Sequence, residues 1–309
     1  VLINGLELSE KYFFECGLPM IKDAAPEIFT RCAAGLAGPG SECLGFDDEL
    51  SRDHDWGPGF CLWLTDEDFA EYGEVLARKY ELLPKEFEGL GPRTSSPGEE
   101  FRIGVMSASS FFKRYSGTSE VPRILKEWMI PPENLGLCTN GRVFHDPSGF
   151  FTGHRRRLTV EYPESLRIKR IAACALNAGQ AGQYNLPRSL GRGESYAALH
   201  DLARFCDAVL KLVFLLNRSF PPYYKWLHRA ASPLPVLGSE VSELVGILSG
   251  RRGFESPVPV IEEFCRLVVF ELEKQKLTVL HDNFLAEQAI HINERLDNEE
   301  LIKYPFQYF

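Results

Sequence analysis

The spacing of apolar residues changes partway along this chain. Up to about residue 160 they fall in short runs broken by Gly, Pro and acidic clusters; beyond it they recur at three- and four-residue intervals over long stretches. Residues 6–16 read as an opening helix that stops near Gly17 and Pro19. Residues 31–37, small and apolar, suit a buried strand, and 60–64 continue in extended style after 51–56. Residues 66–80 form a helical pattern with Phe69, Tyr72, Val75, Leu76 and Lys79 on one face. Strands are predicted at 102–106 and 143–145, helices at 109–115 and 121–129, and an exposed Gly/Pro/Ser-rich loop at 89–100.

From residue 165 onward six helices are predicted, at 167–182, 196–217, 223–231, 239–249, 258–273 and 282–296, with loops at 186–194 and 250–259. The second carries Phe205, Val209, Leu212, Val213 and Leu216 as a core-facing stripe. There is no internal repeat. The pattern predicts an α+β domain over 1–160 followed by an all-α helical bundle over 161–309.

Composition narrows the classes of partner. A formal charge of −9 over 309 residues disfavours a nucleic-acid binder, which needs a positive field to neutralise phosphates. Eight cysteines occur without a C-x-x-C pair or a zinc-like spacing to histidine, so reduced, buried thiols are expected. The most apolar stretch, 209–216, contains Lys211 and is too short to span a bilayer. Residues 1–20 carry Glu7, Glu10, Lys11 and Glu15, unlike a secretory signal. The expectation is a soluble cytoplasmic protein with no membrane partner.

Candidate chemistry concentrates between Gly38 and Trp56. The turn Gly38-Pro39-Gly40-Ser41 follows the first predicted strand, and eleven residues separate Ser41 from Asp53-His54-Asp55. Gly40 lets a main chain approach a phosphate and Ser41 can donate to it. If 53–55 are extended, Asp53 and Asp55 share one face and His54 takes the other. Two such carboxylates repel unless a cation lies between them, and magnesium is commonly held by one or two carboxylates together with substrate phosphates. Asp47, Asp48 and Glu49 read as an acidic surface turn.

The Gly-Ser then Asp-x-Asp spacing resembles the signature of the nucleotidyltransferase superfamily, the fold of kanamycin and lincosamide nucleotidyltransferases. The longer string GSECLGFDDELSRDHDWGPGF, with NGRVFHDPSGFF at 140–151, AGQYNLPR at 181–188 and LLNRSFPPYYKW at 215–226, resembles more closely a widespread bacterial family of unknown function. The resemblance implies a mixed sheet with flanking helices that binds two magnesium ions, and a helical domain that closes over the nucleotide. It implies that Gly40 and Ser41 hold the β- and γ-phosphates of ATP and that Asp53 and Asp55 hold the metals. The superfamily usually has a third carboxylate on a neighbouring strand. None lies in 102–105, so Asp146 is the candidate and Glu100 the runner-up, and Asp146 reads equally well as a turn residue before Pro147. The implied reaction is transfer of a nucleoside monophosphate to a hydroxyl-bearing small molecule or protein, with two metals clamping the attacking and leaving oxygens. Without a third carboxylate, a nucleotide-binding protein that does not catalyse is the alternative.

Three further features bear on this reading. Lys225, in a segment with three aromatics, offers a point charge to a triphosphate, or else lies along an amphipathic helix. Arg155, Arg156, Arg157, Arg167, Lys169 and Arg170 form a basic cluster that reads first as a solvated face. Tyr184, Asn185 and Arg188, with Gln183, form a polar-aromatic break that is either an acceptor pocket or an interhelical loop. No nucleophile elbow, P-loop or dinucleotide fingerprint is present.

Overall fold

The computed structural model describes residues 3–94, 100–250 and 256–309. Parts of the predicted loops 89–100 and 250–259 lie outside the described residues. The chain is α+β and divides into two compact units, Val1–Glu161 and Tyr162–Phe309.

The first unit runs α1 (Gly5–Tyr12), a π-helical continuation (Phe13–Gly17), α2 (Leu18–Ala24), β1 (Ala33–Leu36), β2 (Cys61–Leu64), α3 (Asp66–Glu81), β3 (Gly104–Ser107), α4 (Ala108–Ser116), α5 (Leu125–Trp128), α6 (Pro132–Thr139), β4 (Arg142–His145) and α7 (Phe150–Val160). The four strands form one mixed sheet in the order β3-β2-β1-β4. β1 pairs antiparallel with both β2 and β4, and β2 pairs parallel with β3.

Every residue of β1 and β2 is buried, because helices cover both faces of the sheet. On one face Ala34, Leu62 and Leu64 pack with Phe13, Ile21 and Ile28 and with Leu76 and Tyr80 of α3. On the other, Trp63 stacks on Phe151 of α7 at 3.8 Å and meets Phe111 of α4 edge-on. α3 starts where Thr65 accepts the Asp68 N–H; it has acids in its first turn and Arg78 and Lys79 in its last, matching the helix dipole. Ser107 caps α4, and Gly117, at φ +80°, ends it.

The second unit contains α8 (Glu164–Ala178), a π-helical segment (Gly179–Asn185), α9 (Leu186–Gly191), α10 (Ser195–Leu216), α11 (Tyr224–Ala231), α12 (Gly238–Ser249), α13 (Val258–Lys274), α14 (Leu285–Glu294) and α15 (Glu299–Lys303). Its core is built on Phe205, Val209, Leu212 and Val213 of α10 against α8, α13 and α14. The π-helical segment lets neighbours approach closely: a Cβ on Gly182 would meet the Phe205 ring at 2.3 Å, and one on Gly179 would meet the Ala286 backbone at 2.4 Å. Among the described residues, no helix is long and apolar enough to cross a membrane.

Two expectations fail here. Residues 183–188 are helical, not an interhelical loop, because Gln183 anchors the π-helical segment by hydrogen bonds to Glu262, Asn283 and Leu285. Nor is the basic cluster simply a solvated face. Arg167, Lys169 and Arg170 are buried in the second unit, where Arg167 pairs with Glu164 and Lys169 donates to Asn293 at 2.6 Å. In the first unit Arg155 donates to the carbonyls of Thr139 and Asn140 at the end of α6, while Arg156 and Arg157 are exposed.

Candidate functional site

β1 delivers the chain into the turn 38–41. Gly38 and Gly40 have φ of +110° and +124°, conformations that L side chains rarely adopt. The Asn140 side chain brackets the first of them: Gly38 N–H donates to Asn140 Oδ1 at 2.9 Å, and Asn140 Nδ2 donates to the Gly38 carbonyl at 2.7 Å. Arg102 closes the turn from the other side by donating to the Pro39 carbonyl. A Cβ on Gly40 would lie 2.3 Å from Arg102 Nη2, so the guanidinium reaches the turn only because position 40 is glycine.

The segment 51–59 is not a strand. A short helical turn (Glu49–Arg52), capped by Asp48, gives way to irregular chain, and β2 begins only at Cys61. Gly57, at φ +131°, and Pro58, which lacks an N–H, prevent the ladder from extending back to Asp53. The alternation expected for Asp53, His54 and Asp55 therefore does not apply.

The two carboxylates sit in different surroundings. Asp53 is 65% exposed and faces His54 Nδ1 at 2.9 Å. Asp55 is only 8% exposed, has φ +53°, and pairs with Arg102 Nη1 at 3.0 Å; its N–H donates to the Thr94 carbonyl at 2.6 Å. Glu42 pairs with Arg93, both buried, and burial raises the Glu42 carboxyl against the opposing pull of Arg93. Asp47 accepts the Gly5 N–H and the Trp56 indole N–H. Three buried polar atoms of this cluster, Glu42 Oε2, Asp47 Oδ1 and Arg102 Nε, lack a hydrogen-bond partner.

Asp146 is not brought to the turn. Leu36 lies opposite Arg142 and Ala34 opposite His145, so β4 carries Asp146 toward the start of β1 while the turn follows its end. There Asp146 accepts the Thr152 N–H at 2.7 Å in the first turn of α7. The Glu100 side chain lies outside the described residues. Lys225 is exposed on α11, and Tyr184, Asn185 and Arg188 belong to the π-helical segment and α9, with the Arg188 guanidinium 3.6 Å from the Tyr184 ring centre. All four are in the second unit.

No group of three or more His, Cys, Asp or Glu able to hold a metal occurs among the described residues. With Asp55 already neutralised by Arg102, the donors do not fit a resident magnesium ion; they leave room only for one that brings water and phosphate ligands with it.

A cavity of about 210 Å³ opens between α3, β3 and α4, lined by Phe69, Phe101, Ile103, Val105, Phe111 and Tyr115, among others. Tyr115 links it to the turn, since a Cβ on Gly38 would meet the Tyr115 hydroxyl at 3.2 Å.

Sequence reasoning missed Arg102, Arg93, Glu42 and Asn140. A cation beside a Pro/Ser-rich loop, or an Asn in a turn, looks like surface until the partners are known, and Arg102 meets Pro39 across 63 residues of chain.

Residues 128–227 match a domain of unknown function (DUF4037). That range includes the strings at 140–151, 181–188 and 215–226 but not the turn or Asp53 and Asp55. No curated protein matches the chain. A solved nucleotidyltransferase-like protein from Exiguobacterium sibiricum is similar over 94% of this chain and 81% of its own, at 11% identity and a TM-score of 0.35.

Proposed function

We propose that the first unit binds a nucleoside triphosphate, as its magnesium salt, at the turn 38–41, and passes the nucleoside monophosphate of ATP to a hydroxyl-bearing small molecule or protein. The observation that carries this reading is the place of Arg102, a positive charge held between a main-chain carbonyl of the turn and the Asp55 carboxylate. A left-handed Gly turn, a hydroxyl at Ser41 and a buried guanidinium beside the Asp55 carboxylate are the groups that polyphosphate recognition uses. Magnesium enters as part of the substrate, with Asp53 and Asp55 the side chains to face it. The apolar cavity beside Tyr115 suits the base.

In the transfer, the acceptor oxygen attacks the α-phosphorus and forms a new O–P bond. The bond to the bridging oxygen breaks, and pyrophosphate leaves with that electron pair. The acceptor proton passes to a base, either a carboxylate or solvent.

A second reading, nucleotide binding without transfer, is favoured by one observation: Asp146 lies toward the opposite end of the β1–β4 ladder.

Calorimetric titration with magnesium and a non-hydrolysable ATP analogue tests the shared premise. Saturable binding is expected, weakened in Asp53→Asn and Asp55→Asn. No binding by the folded wild type sinks both readings. Pyrophosphate release from ATP with candidate acceptors, abolished in the same variants, selects transfer over binding alone.

A further inference from the structure

We infer that the cavity between α3, β3 and α4 reads a base through the main chain of Val105, and that this pairing selects adenine. The phosphates of such a nucleotide belong to the proposed triphosphate site, on which this assignment rests; the ring contacts stand on the cavity alone.

β3 is an edge strand. In the order β3-β2-β1-β4 one side of it pairs with β2, and among the described residues no strand pairs with the other. Gly104 lies opposite Cys61 in the parallel ladder, and its N–H donates to the Phe60 carbonyl at 2.9 Å. In such a ladder the N–H and C=O of one residue point to the same side, and those of the next residue point to the other. Gly104 and Met106 therefore face β2, and the N–H and C=O of Val105 face the open edge. The cavity lies along that edge. Val105 and Met106, whose side chains leave opposite faces of the sheet, both line it, as do Phe69 of α3 and Phe111 of α4.

A long open edge invites a whole peptide strand, but this one is too short. Gly104, at φ +103°, interrupts the extended chain just before Val105, and Ser107 turns into α4 as its cap. What is left is one donor and one acceptor, side by side, between aromatic walls. At about 210 Å³ the cavity suits a single ring system. Proteins read bases with such groups, by hydrogen bonds to the Watson–Crick edge and by stacking on aromatic or apolar side chains. On that edge adenine carries two polar groups, the acceptor N1 and the amino donor N6, which the Val105 N–H and C=O satisfy. Guanine, cytosine and uracil each carry a third. The polar side chains of the cavity are already engaged: Ser110 donates to the Ser107 carbonyl at 2.8 Å, Arg114 donates to the Phe101 carbonyl at 3.3 Å, and the Tyr115 hydroxyl lies beside Gly38 in the turn. Those three bases leave a polar group unmet among Phe69, Val105 and Phe111, and adenine does not.

Calorimetric titration of the full chain with nucleosides tests the pairing without metal or phosphate. Adenosine is expected to bind about tenfold or more tightly than guanosine, cytidine or uridine, the penalty of one buried polar group left unmet. Two altered ligands ask whether both main-chain groups are used. 1-Deazaadenosine lacks the N1 acceptor and N6,N6-dimethyladenosine lacks the amino donor, and each should bind about tenfold more weakly than adenosine. Val105→Pro removes the N–H from the protein, at an edge position where an outward N–H lets proline be accommodated. It should bind adenosine about as weakly as wild type binds 1-deazaadenosine, and should no longer distinguish the two. Should that variant fail to fold, the wild-type series decides. Equal binding of the four nucleosides, or of adenosine and the two altered ligands, overturns the inference. Titration with magnesium and the non-hydrolysable ATP analogue judges the triphosphate reading separately. If the analogue binds while the nucleosides bind without discrimination or not at all, base selection fails and the phosphate site stands. If adenosine is selected but the analogue binds no better than adenosine, base selection stands and the phosphate reading fails. Binding of neither overturns both.

Discussion

His154 lies flat on Phe112, with ring centres 3.6 Å apart and planes within 5°, and its Nε2 is buried without a partner. Burial lowers its pKa to about 4 from an ordinary 6.5, so the folded protein refuses a proton that the unfolded chain accepts between those values. The unfolded state then binds more protons, and stability rises with pH across that window. This contribution is fully present above pH 6.5 and is lost as pH falls toward 4. His154→Phe keeps the stack and removes the proton. The wild-type urea midpoint should drop between pH 7.5 and pH 5, and that of the variant should drop less. Equal drops would assign the acid sensitivity elsewhere. The sequence offered no hint of this ring, since a histidine before three arginines reads as surface until Phe112 is found beneath it.

Strands and helices were legible where burial dictates composition. Cys61–Leu64 is apolar because both of its faces are covered, and the stripe on Ser195–Leu216 faces the core as its period requires. The acidic segment was not. Gly57 and Pro58 decide that Asp53 and Asp55 lie on irregular chain, and the register of β4 decides that Asp146 lies away from the turn. Neither fact is local to the residues concerned. The candidate site was thus legible in its residue types, Gly40, Ser41 and the two acids, but its electrostatics depend on Arg102 and its shape on Asn140, both supplied by distant sequence. Asn140, the first residue after α6, fixes the turn by pairing with both polar groups of the Gly38 residue. Asn140→Ala leaves a buried N–H and carbonyl unmet, at a cost of about 1–3 kcal/mol for each group. Chemical denaturation should show a loss of about 2–6 kcal/mol for the two groups together, and triphosphate binding should weaken beyond what the loss of folded fraction explains. An unchanged midpoint would mean that water replaces the amide and the turn is self-supporting.

Each unit owns a hydrophobic core. Phe13, Ile21, Phe60 and Leu62 belong to one, and Phe205, Val209, Val213 and Val268 to the other. Arg167 and Lys169 find their partners in Glu164 and Asn293, within the second unit. A segment with its own core and its buried charges matched internally meets the conditions for folding alone. The fragment 162–309 should therefore be helical and unfold in one cooperative step, with circular dichroism and Trp226 fluorescence reporting the same midpoint. Phe205 is the residue on which that step should depend most visibly, because its ring is fully buried and seated against Gly182. Phe205→Ala opens a cavity that the π-helical segment, pinned by Gln183, has little freedom to fill, so a loss of about 3–5 kcal/mol is expected. A fragment that is helical but melts without cooperativity would show that the second core needs the first unit to close it. A fragment that melts cooperatively and is indifferent to Phe205→Ala would place the weight of the core on α8 and α14 instead.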